Sequence, residues 1–539
     1  MTGGRETTVD EKLREAVKFI VKEVREKGIK DPVKINRIKY RAVRLFRLGR
    51  VPSNVEILKY VNEIDPELAS VFRLKPVRSI SGVVIVAIMT YPYECPHGRC
   101  LYCPHYPGAP ISYTGKEPSA MRGIHNEFDP YKQVTSRLEQ LESMGHSTDK
   151  VEIIIQGGTF NATPLEYREW YMRRLLQAFI GYYPESFEKG VLDAEKSPKR
   201  IVGITFETRP DACSEEQINW MLERGGTRVE LGVQTIYDDV YKYVDRGHSI
   251  QDVIEATRRL RDAGFKVTYH LMPGLPLTNF KHDLNIFNLV FSSHNYMPDN
   301  LKIYPTLVLE HTGLLEIWRS GGYKPYDTEI AKDLVSLVKG NIIPPWIRIM
   351  RVNRDIPSHE IIDGVKKTNL RQIVQMDMRK IGLRCRCIRC REAGHRWMKE
   401  GYKGSEELVI KVSSYPASGG IEYFISVEDV ENDVIYGFIR LRRPSNKAWR
   451  PEITSSETYI VRELHVYGHS LPLGSGPQGL EGSWQHIGLG SILLSEAEKL
   501  ASSLDGEKIV VISGIGVREY YYKHGYNREG PYVSKFLGG

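Results

Sequence analysis

Apolar residues recur every three or four positions along Glu11–Lys27, at Leu13, Ala16, Val17, Ile20, Val21 and Val24, and predict an amphipathic helix. Pro52 resets the chain before a shorter helix near Val55–Val61, so residues 1–78 read as a small helical domain. After Ser79 the pattern changes to short apolar runs separated by helical stretches. Strands are expected at Val83–Met89, Val151–Gln156, Val202–Phe206, Arg228–Val233, Lys266–Leu271 and Leu301–Tyr304. Helical periodicity fills Pro130–Met144, Leu165–Tyr182, Ser214–Arg224, Ile250–Ala263 and Phe280–Phe291. Strands alternating with helices give a parallel sheet with right-handed crossovers. Polar, ligand-like residues follow nearly every strand, and the C-terminal strand ends form the active face of barrels. The α/β pattern over 79–310 therefore predicts a partial (βα)6 barrel rather than an open doubly wound sheet. Residues 311–400, broken by Pro344-Pro345 and Pro357, read as a linker. From 401 to 539 the chain is strand-rich again, at Glu407–Ser413, Ile421–Val427, Val434–Leu441 and Tyr459–Val466. A helix from Gly488 to Ser502 and a strand at Lys508–Ile512 complete a separate α/β domain.

Length and composition refine this picture without changing it. The 539 residues exceed what one core of about 250–300 residues holds. The longest apolar run, Val83–Met89, is far too short to span a bilayer, and Met1–Asp10 lacks the apolar core of a signal peptide. A cytoplasmic protein without membrane contact is expected. The net charge of +8 is unevenly placed: Lys27–Arg50 holds nine basic residues and one acid, Asp31. Such a block attracts phosphates through counterion release, or it is a solvated helix face. Lys34, Arg37, Lys39, Arg41, Arg44 and Arg47 are its candidate phosphate contacts.

Six of the seven cysteines fall in two tight groups, which suits metal rather than a disulfide framework; Cys213 stands apart. Cys95, Cys100 and Cys103 lie in a loop after the first barrel strand. Three thiolates leave one iron of a 4Fe–4S cubane without a protein ligand. That iron can chelate S-adenosylmethionine and pass an electron to its sulfonium, the chemistry of radical-SAM enzymes. The first gap holds four residues where those enzymes usually have three, so a zinc knuckle using His97 or His105 stays open. Gly157 and Gly158, Glu207 and Arg209, and Gln234 follow the second, third and fourth strands and are candidate S-adenosylmethionine contacts.

Cys385, Cys387 and Cys390 form the second group. Their spacing suits structural zinc, with His270, His311 or His395 as fourth ligand; unliganded thiols or a second cluster are the alternatives. In the C-terminal domain, Gln485-His486-Ile487-Gly488-Leu489-Gly490 opens a helix after a strand. Exposed N–H groups and the helix dipole there suit a pyrophosphate. The turn resembles the coenzyme A cradle of the GNAT acetyltransferase fold. Tyr520 and Tyr521, within Tyr520–Tyr526, stand where that fold keeps a tyrosine near the thioester, as a general acid toward the leaving thiolate; the other reading is aromatic packing on the sheet.

The whole chain resembles the catalytic subunit of the Elongator complex in its single-chain archaeal or bacterial form. The likeness is carried by Glu94-Cys95-Pro96-His97, Leu101-Tyr102-Cys103-Pro104, Gly157-Gly158-Thr159-Phe160, Glu207-Thr208-Arg209-Pro210-Asp211, Leu231-Gly232-Val233-Gln234 and Arg462–Gly468. It implies modification of the tRNA wobble uridine at C5, the first step toward 5-carboxymethyluridine, with acetyl-CoA as carbon donor. Family acetyl-CoA contacts map onto Lys150, Glu463, Leu464, His465, Val466, Gly488, Leu489, Gly490 and Tyr520, which requires the barrel and the C-terminal domain to pack together. Lys150 and the two tyrosines are the catalytic candidates. Zinc does not transfer from the eukaryotic members and rests on spacing. Two other readings compete, a protein lysine acetyltransferase and a non-catalytic tRNA-binding scaffold. A homodimer and accessory subunits stay open.

Overall fold

A computed structural model describes residues 9–73, 78–405, 407–455, 457–468 and 488–538. The chain forms two compact units, one of residues 1–79 with 135–148 and one of 80–134 with 149–539.

In the first unit three helices, Val9–Glu26, Pro32–Phe46 and Asn54–Ile64, bury one face each around Val17, Ile20, Val24, Ile38, Ala42, Leu58 and Val61. Asp31 accepts from the Val33 N–H and Pro32 occupies the first turn, so the second helix starts where its free N–H groups are satisfied. Ser53 and Glu56 form a reciprocal capping box on the third.

The second unit holds both larger folds. Its first sheet contains β1 (Val84–Met89), β2 (Lys150–Gln156), β3 (Arg200–Thr208), β4 (Gly226–Gln234), β5 (Lys266–Leu271) and β6 (Asn300–Ile303). A two-residue strand, β7 (Val308–Leu309), leaves the barrel, and β8 (Arg348–Val352) returns to it beside β6. All seven strands of the sheet, in the order β1-β2-β3-β4-β5-β6-β8, run parallel, making an open half-barrel. The segment 311–400 is thus more than a linker: it supplies the seventh strand. The expectation missed β8 because Arg348 and Arg351 interrupt its apolar residues. A short β9 (Ile361–Asp363) pairs with β7.

The C-terminal sheet contains β10 (Val409–Ala417), β11 (Gly420–Asp429), β12 (Val434–Arg443), β13 (Thr458–Val466), β14 (Lys508–Val511), β15 (Asn527–Glu529) and β16 (Tyr532–Phe536). Its order is β10-β11-β12-β13-β14-β16-β15, antiparallel except for β13 beside β14. The helix Leu489–Ser503 covers it through Leu493, Leu494, Ala497 and Ala501.

This domain packs on the N-terminal ends of the barrel strands. Tyr532 donates to Ala263 O at 3.0 Å, before β5, and Arg462 reaches Asp299, before β6, at 2.6 and 2.9 Å. His465 Nε2 lies 3.0 Å from Ser81 O, before β1. The contact is strongly ionic. Arg261, Arg440, Arg442 and Arg462 meet Asp262, Asp299, Glu422 and Glu463, four cations against four anions. No helix among the described residues is long and apolar enough to cross a membrane.

Candidate active site

The opposite, C-terminal ends of the strands surround a cavity of about 130 Å³ that opens to solvent. Cys95, Cys100, Cys103, Gly158, Glu207, Arg209 and Gln234 all line it. The cysteine loop is built from tight turns, with Gly98 N–H on Cys95 O at 3.0 Å and Cys103 N–H on Cys100 O at 3.0 Å. It is tied down by Leu101 N–H on Val244 O (3.1 Å) and by Leu314 N–H on Leu101 O (2.8 Å). Burial pushes the Cys103 thiol up to about 11 and raises that of Cys95. His97 Nε2 lies 3.2 Å from Cys100 Sγ, and burial with Arg209 and Arg246 holds that imidazole down at about 4, neutral at ordinary pH.

The donor set fits a cubane better than a single ion. Tetrahedral zinc with bonds of about 2.3 Å needs sulfurs about 3.8 Å apart. Cys385, Cys387 and Cys390 converge to within 4.8 Å of one another, whereas Cys95, Cys100 and Cys103 are not among the described groups that do. The charge balance agrees. Arg246 is buried, with one guanidinium nitrogen 3.6 Å from Cys100 Sγ and another on Gly232 O at 2.6 Å. Among the described residues no carboxylate pairs with it, so its counter-charge must come from the thiolates. Arg246 has no motif signal and escaped the sequence reading.

The other predicted contacts divide. Gly157 sits at φ +125°, and a Cβ there would come within 2.3 Å of Thr90 Oγ1, so glycine is required for close packing beside the cavity. A Cβ on Gly158 would lie 3.8 Å from Cys95 Sγ, leaving bare backbone facing the cluster loop. Glu207 accepts from Tyr113 Oη at 3.0 Å and from Gln156 at 3.1 Å. Arg209 forks onto Asp211 at 3.0 Å on both arms, which commits it to shaping the loop. Gln234 holds a left-handed φ of +70° and leaves its buried Oε1 without a hydrogen-bond partner.

His270, expected beside the second cysteine group, is instead on the cavity floor. It lies 3.0 Å from Glu230, whose carboxylate also takes the Lys302 ammonium. Against its burial, Lys302, His270 and Arg228 hold the Glu230 carboxyl well below the ordinary range. Glu207, Glu230 and His270 converge closely enough for a metal, but Lys302 already supplies the positive charge among them.

His311 packs edge-on against Tyr106, and His395 lies 3.0 Å from Glu392. No described histidine or carboxylate joins the second trio within its 4.8 Å radius. Its three thiols share charge: hydrogen bonds from Cys385 and Cys390 drive Cys387 well down while Cys385 and Cys390 are raised. This trio can hold a metal ion.

In the C-terminal domain β14 ends at Val511 and pairs with β13 only from Thr458 to Val461, so β13 runs on through Glu463, Leu464, His465 and Val466 with no strand partner on that side among the described residues, which leaves an opening. Gly488, at φ +87°, starts the helix beside this opening. Leu489 turns into the core, and a Cβ on Gly490 would stand 2.8 Å from Tyr520 Oη and 4.0 Å from Val466. Tyr520 Oη is buried with no hydrogen-bond partner, and burial raises its pKa. Tyr521 instead lies in the core against Tyr526, away from the opening. Gln485 lies outside the described residues. Glu463 is held by Arg440 at 2.9 Å and Lys266 at 3.7 Å, and Lys150 starts β2 at the same barrel end, its ammonium pKa lowered by burial.

On the first unit, Lys34, Arg37, Arg41, Arg44 and Arg47 are exposed. Lys39 is not: it is 4% exposed and its ammonium donates to Pro52 O and to Asn54. It is spent on holding the third helix and is removed from the phosphate-contact set.

A parallel half-barrel with a three-cysteine loop over its C-terminal mouth defines a radical-SAM protein, and residues 90–290 match the Radical SAM superfamily. Residues 298–380 match the Radical_SAM C-terminal domain, and 13–80 the ELP3 N-terminal domain. The tRNA uridine(34) acetyltransferase of Methanocaldococcus infernus is 48% identical over 97% of this chain and 99% of its own. Elongator complex protein 3 of Schizosaccharomyces pombe is 41% identical over 94% of each. A solved structure of the archaeal M. infernus Elp3 with an N-terminal deletion (1–46) superposes with a TM-score of 0.76 at 46% identity, over 85% of this chain and all of that one. The chain belongs to the family of tRNA uridine(34) acetyltransferases and Elongator complex protein 3.

Proposed function

We propose that this protein acts on tRNA uridine-34, bonding the methyl carbon of an acetyl group from acetyl-CoA to C5 of the base, toward 5-carboxymethyluridine. The observation that carries this reading is the presence on a single barrel of two features, the thiol-lined cavity and the opening where β13 runs on past β14. When bound, a 4Fe–4S cluster on Cys95, Cys100 and Cys103 supplies an electron to S-adenosylmethionine and so the radical that removes a hydrogen atom from the acetyl methyl group. Gly158 backbone, Glu207 and Gln234 orient S-adenosylmethionine in the cavity, and Arg246 balances the thiolate charge. The backbone at Gly488–Gly490 cradles the coenzyme A pyrophosphate, and Tyr520 protonates the thiolate that leaves when water adds to the thioester carbonyl and the carboxylate forms. Lys34, Arg37, Arg41, Arg44 and Arg47 hold tRNA phosphates. Cys385, Cys387 and Cys390 hold structural zinc. The site of action is the cytoplasm.

The test uses anaerobically reconstituted protein with dithionite, S-adenosylmethionine, methyl-labelled acetyl-CoA and tRNA. Label at C5 of uridine-34, lost in Cys103→Ala with tRNA binding retained, is expected. Labelled lysine on protein with unmodified tRNA would replace this reading with a protein acetyltransferase.

A further inference from the structure

Barrels are ordinarily filled by layers of branched apolar side chains. The inner face of this one is largely polar on β2 to β6, with Ile154 between Glu152 and Gln156, and Ile85, Ala87 and Met89 of β1, as its apolar positions. Strand periodicity puts Glu152 and Gln156 of β2, Thr205 and Glu207 of β3, and Arg228 and Glu230 of β4 on one face. Lys266, Thr268 and His270 of β5 and Asn300 and Lys302 of β6 continue it. Arg228, Glu230 and Lys302 are all buried, and each buried charge costs several kcal/mol unless paired. A fold that needed only stability would fill the bore with Ile and Val.

The two ends of this bore are the two sites. Glu230 and His270 floor the thiol-lined cavity above. Below, Lys266, the first inward residue of β5, meets Glu463 on the end of β13 that runs past β14. From Lys266 to His270 is four residues, about 13 Å at 3.3 Å per residue, within reach of a pantetheine arm. Two layers close the bore: level with Lys266, Arg228 lies 2.7 Å from Glu152, with Thr205 Oγ1 3.5 Å from the same carboxylate, and above it Glu230 pairs with Lys302 and His270. Arg228 Nε is buried without a hydrogen-bond partner, so the lower closure is incompletely satisfied.

We infer that the barrel bore is the passage by which the acyl end of a coenzyme A thioester, held by the C-terminal domain, reaches the radical cavity, with the Arg228–Glu152 pair as its lower gate and the Glu230–Lys302–His270 pairs as its upper one. The inference rests on the proposed acyl-carrier role of that domain.

Bromoacetyl-CoA tests it without cluster or S-adenosylmethionine. Thr268→Cys and, independently, Thr205→Cys each put one thiol in the bore at nearly unchanged volume. Its sulfur bonds to the acetyl methylene carbon, bromide leaves, and the thiol proton goes to solvent. Peptide mass mapping should find either thiol labelled at least about tenfold faster by bromoacetyl-CoA than by bromoacetamide, as bound reagent gives a high effective concentration. Desulfo-coenzyme A should suppress that labelling, and adding Glu152→Gln should raise its rate severalfold. Introduced thiols that react with bromoacetamide but not with bromoacetyl-CoA would make the bore a solvent path and overturn the passage. Thiols inert to both would overturn it equally. Calorimetry of coenzyme A on the unsubstituted chain separates the two failures: binding without labelling removes the passage alone, and no binding removes the acyl-carrier reading with it.

Discussion

Asp299 is the substitution that most directly probes how the barrel and the C-terminal domain are joined. Its side chain is fully buried and accepts from Arg462 at 2.6 and 2.9 Å, from Arg261 at 3.4 Å, and from the Val267 N–H at 2.8 Å. Arg440 lies a further 3.7 Å away. Asp299→Asn keeps the volume and one acceptor but removes one of four negative charges facing four buried arginines. Removing one partner of a buried pair costs about 3–5 kcal/mol, because the remaining charge cannot return to water. Glu63→Gln supplies the control. Its pair with Arg14, at 3.0 Å, is more than half exposed on both sides and should contribute no more than about 1 kcal/mol. Urea unfolding followed by circular dichroism and tryptophan fluorescence gives both values. A midpoint for Asp299→Asn no lower than that of Glu63→Gln would refute the reading of this seam as the structural joint. The arginines hold the Asp299 carboxyl well below its ordinary value against its burial. Its stabilisation is therefore full above the unfolded pKa of about 3.9 and is lost only as pH falls through the depressed folded value.

Asp283 should behave in the opposite sense. Burial raises its carboxyl to about 6 despite hydrogen bonds from Tyr326 and the Gly274 N–H, so stability should fall by about 3 kcal/mol as pH rises from 4 to 6, a slope that Asp283→Asn abolishes in pH-dependent urea titrations. Cys387→Ala should release the metal of the second trio, read as loss of about one zinc per chain by elemental analysis and a lower Tm; full zinc in the variant would refute the site. Arg246→Gln should lower the reduced fraction of the reconstituted cluster about tenfold at fixed potential, a midpoint shift of about 59 mV in an EPR-monitored titration; an unchanged midpoint would deny Arg246 its pairing with the thiolates. Arg37→Glu with Arg44→Glu should flatten the slope of log affinity for tRNA against log salt by about 1.4–1.8, while Lys39→Met leaves the slope unaltered.

The fold was legible where strands alternate with one apolar face or helices are amphipathic: β5 occupies Lys266–Leu271 as its pattern predicts, and the helix expected from Gly488 runs from Leu489. β8 was hidden by Arg348 and Arg351, β16 by Ser534 and Lys535, which interrupt its apolar residues, and β15 by its length of three residues. The cysteine loop and the residues after each strand were legible because sequence position along a barrel strand fixes which end a residue occupies. His270 was misassigned for the complementary reason. Spacing identifies a ligand type, but only the register with Glu230 and Lys302 shows which cavity it faces. Lys39 was misread because charge density along a helix does not reveal which basic residue turns inward.

The placement of the two sites argues for the fusion of their domains. The C-terminal sheet reaches the barrel through the segments preceding β1, β5 and β6, while the thiols stand over the far ends of the strands. On the proposed acyl-carrier reading, a detached domain could deliver its thioester to any surface, but one whose β13 abuts Lys266 delivers it only to the barrel base. That delivery demands a fixed register between β13 and β5, which surface contacts of ordinary strength would not hold. The buried arginine–carboxylate seam adjoins this contact, and its directional bonds resist sliding more than an apolar interface of the same area would. Replacing the seam with packed apolar residues could raise stability, as for other buried ion pairs. On this reading the charges are retained for register, and such a replacement would preserve folding while loosening the Glu463–Lys266 contact.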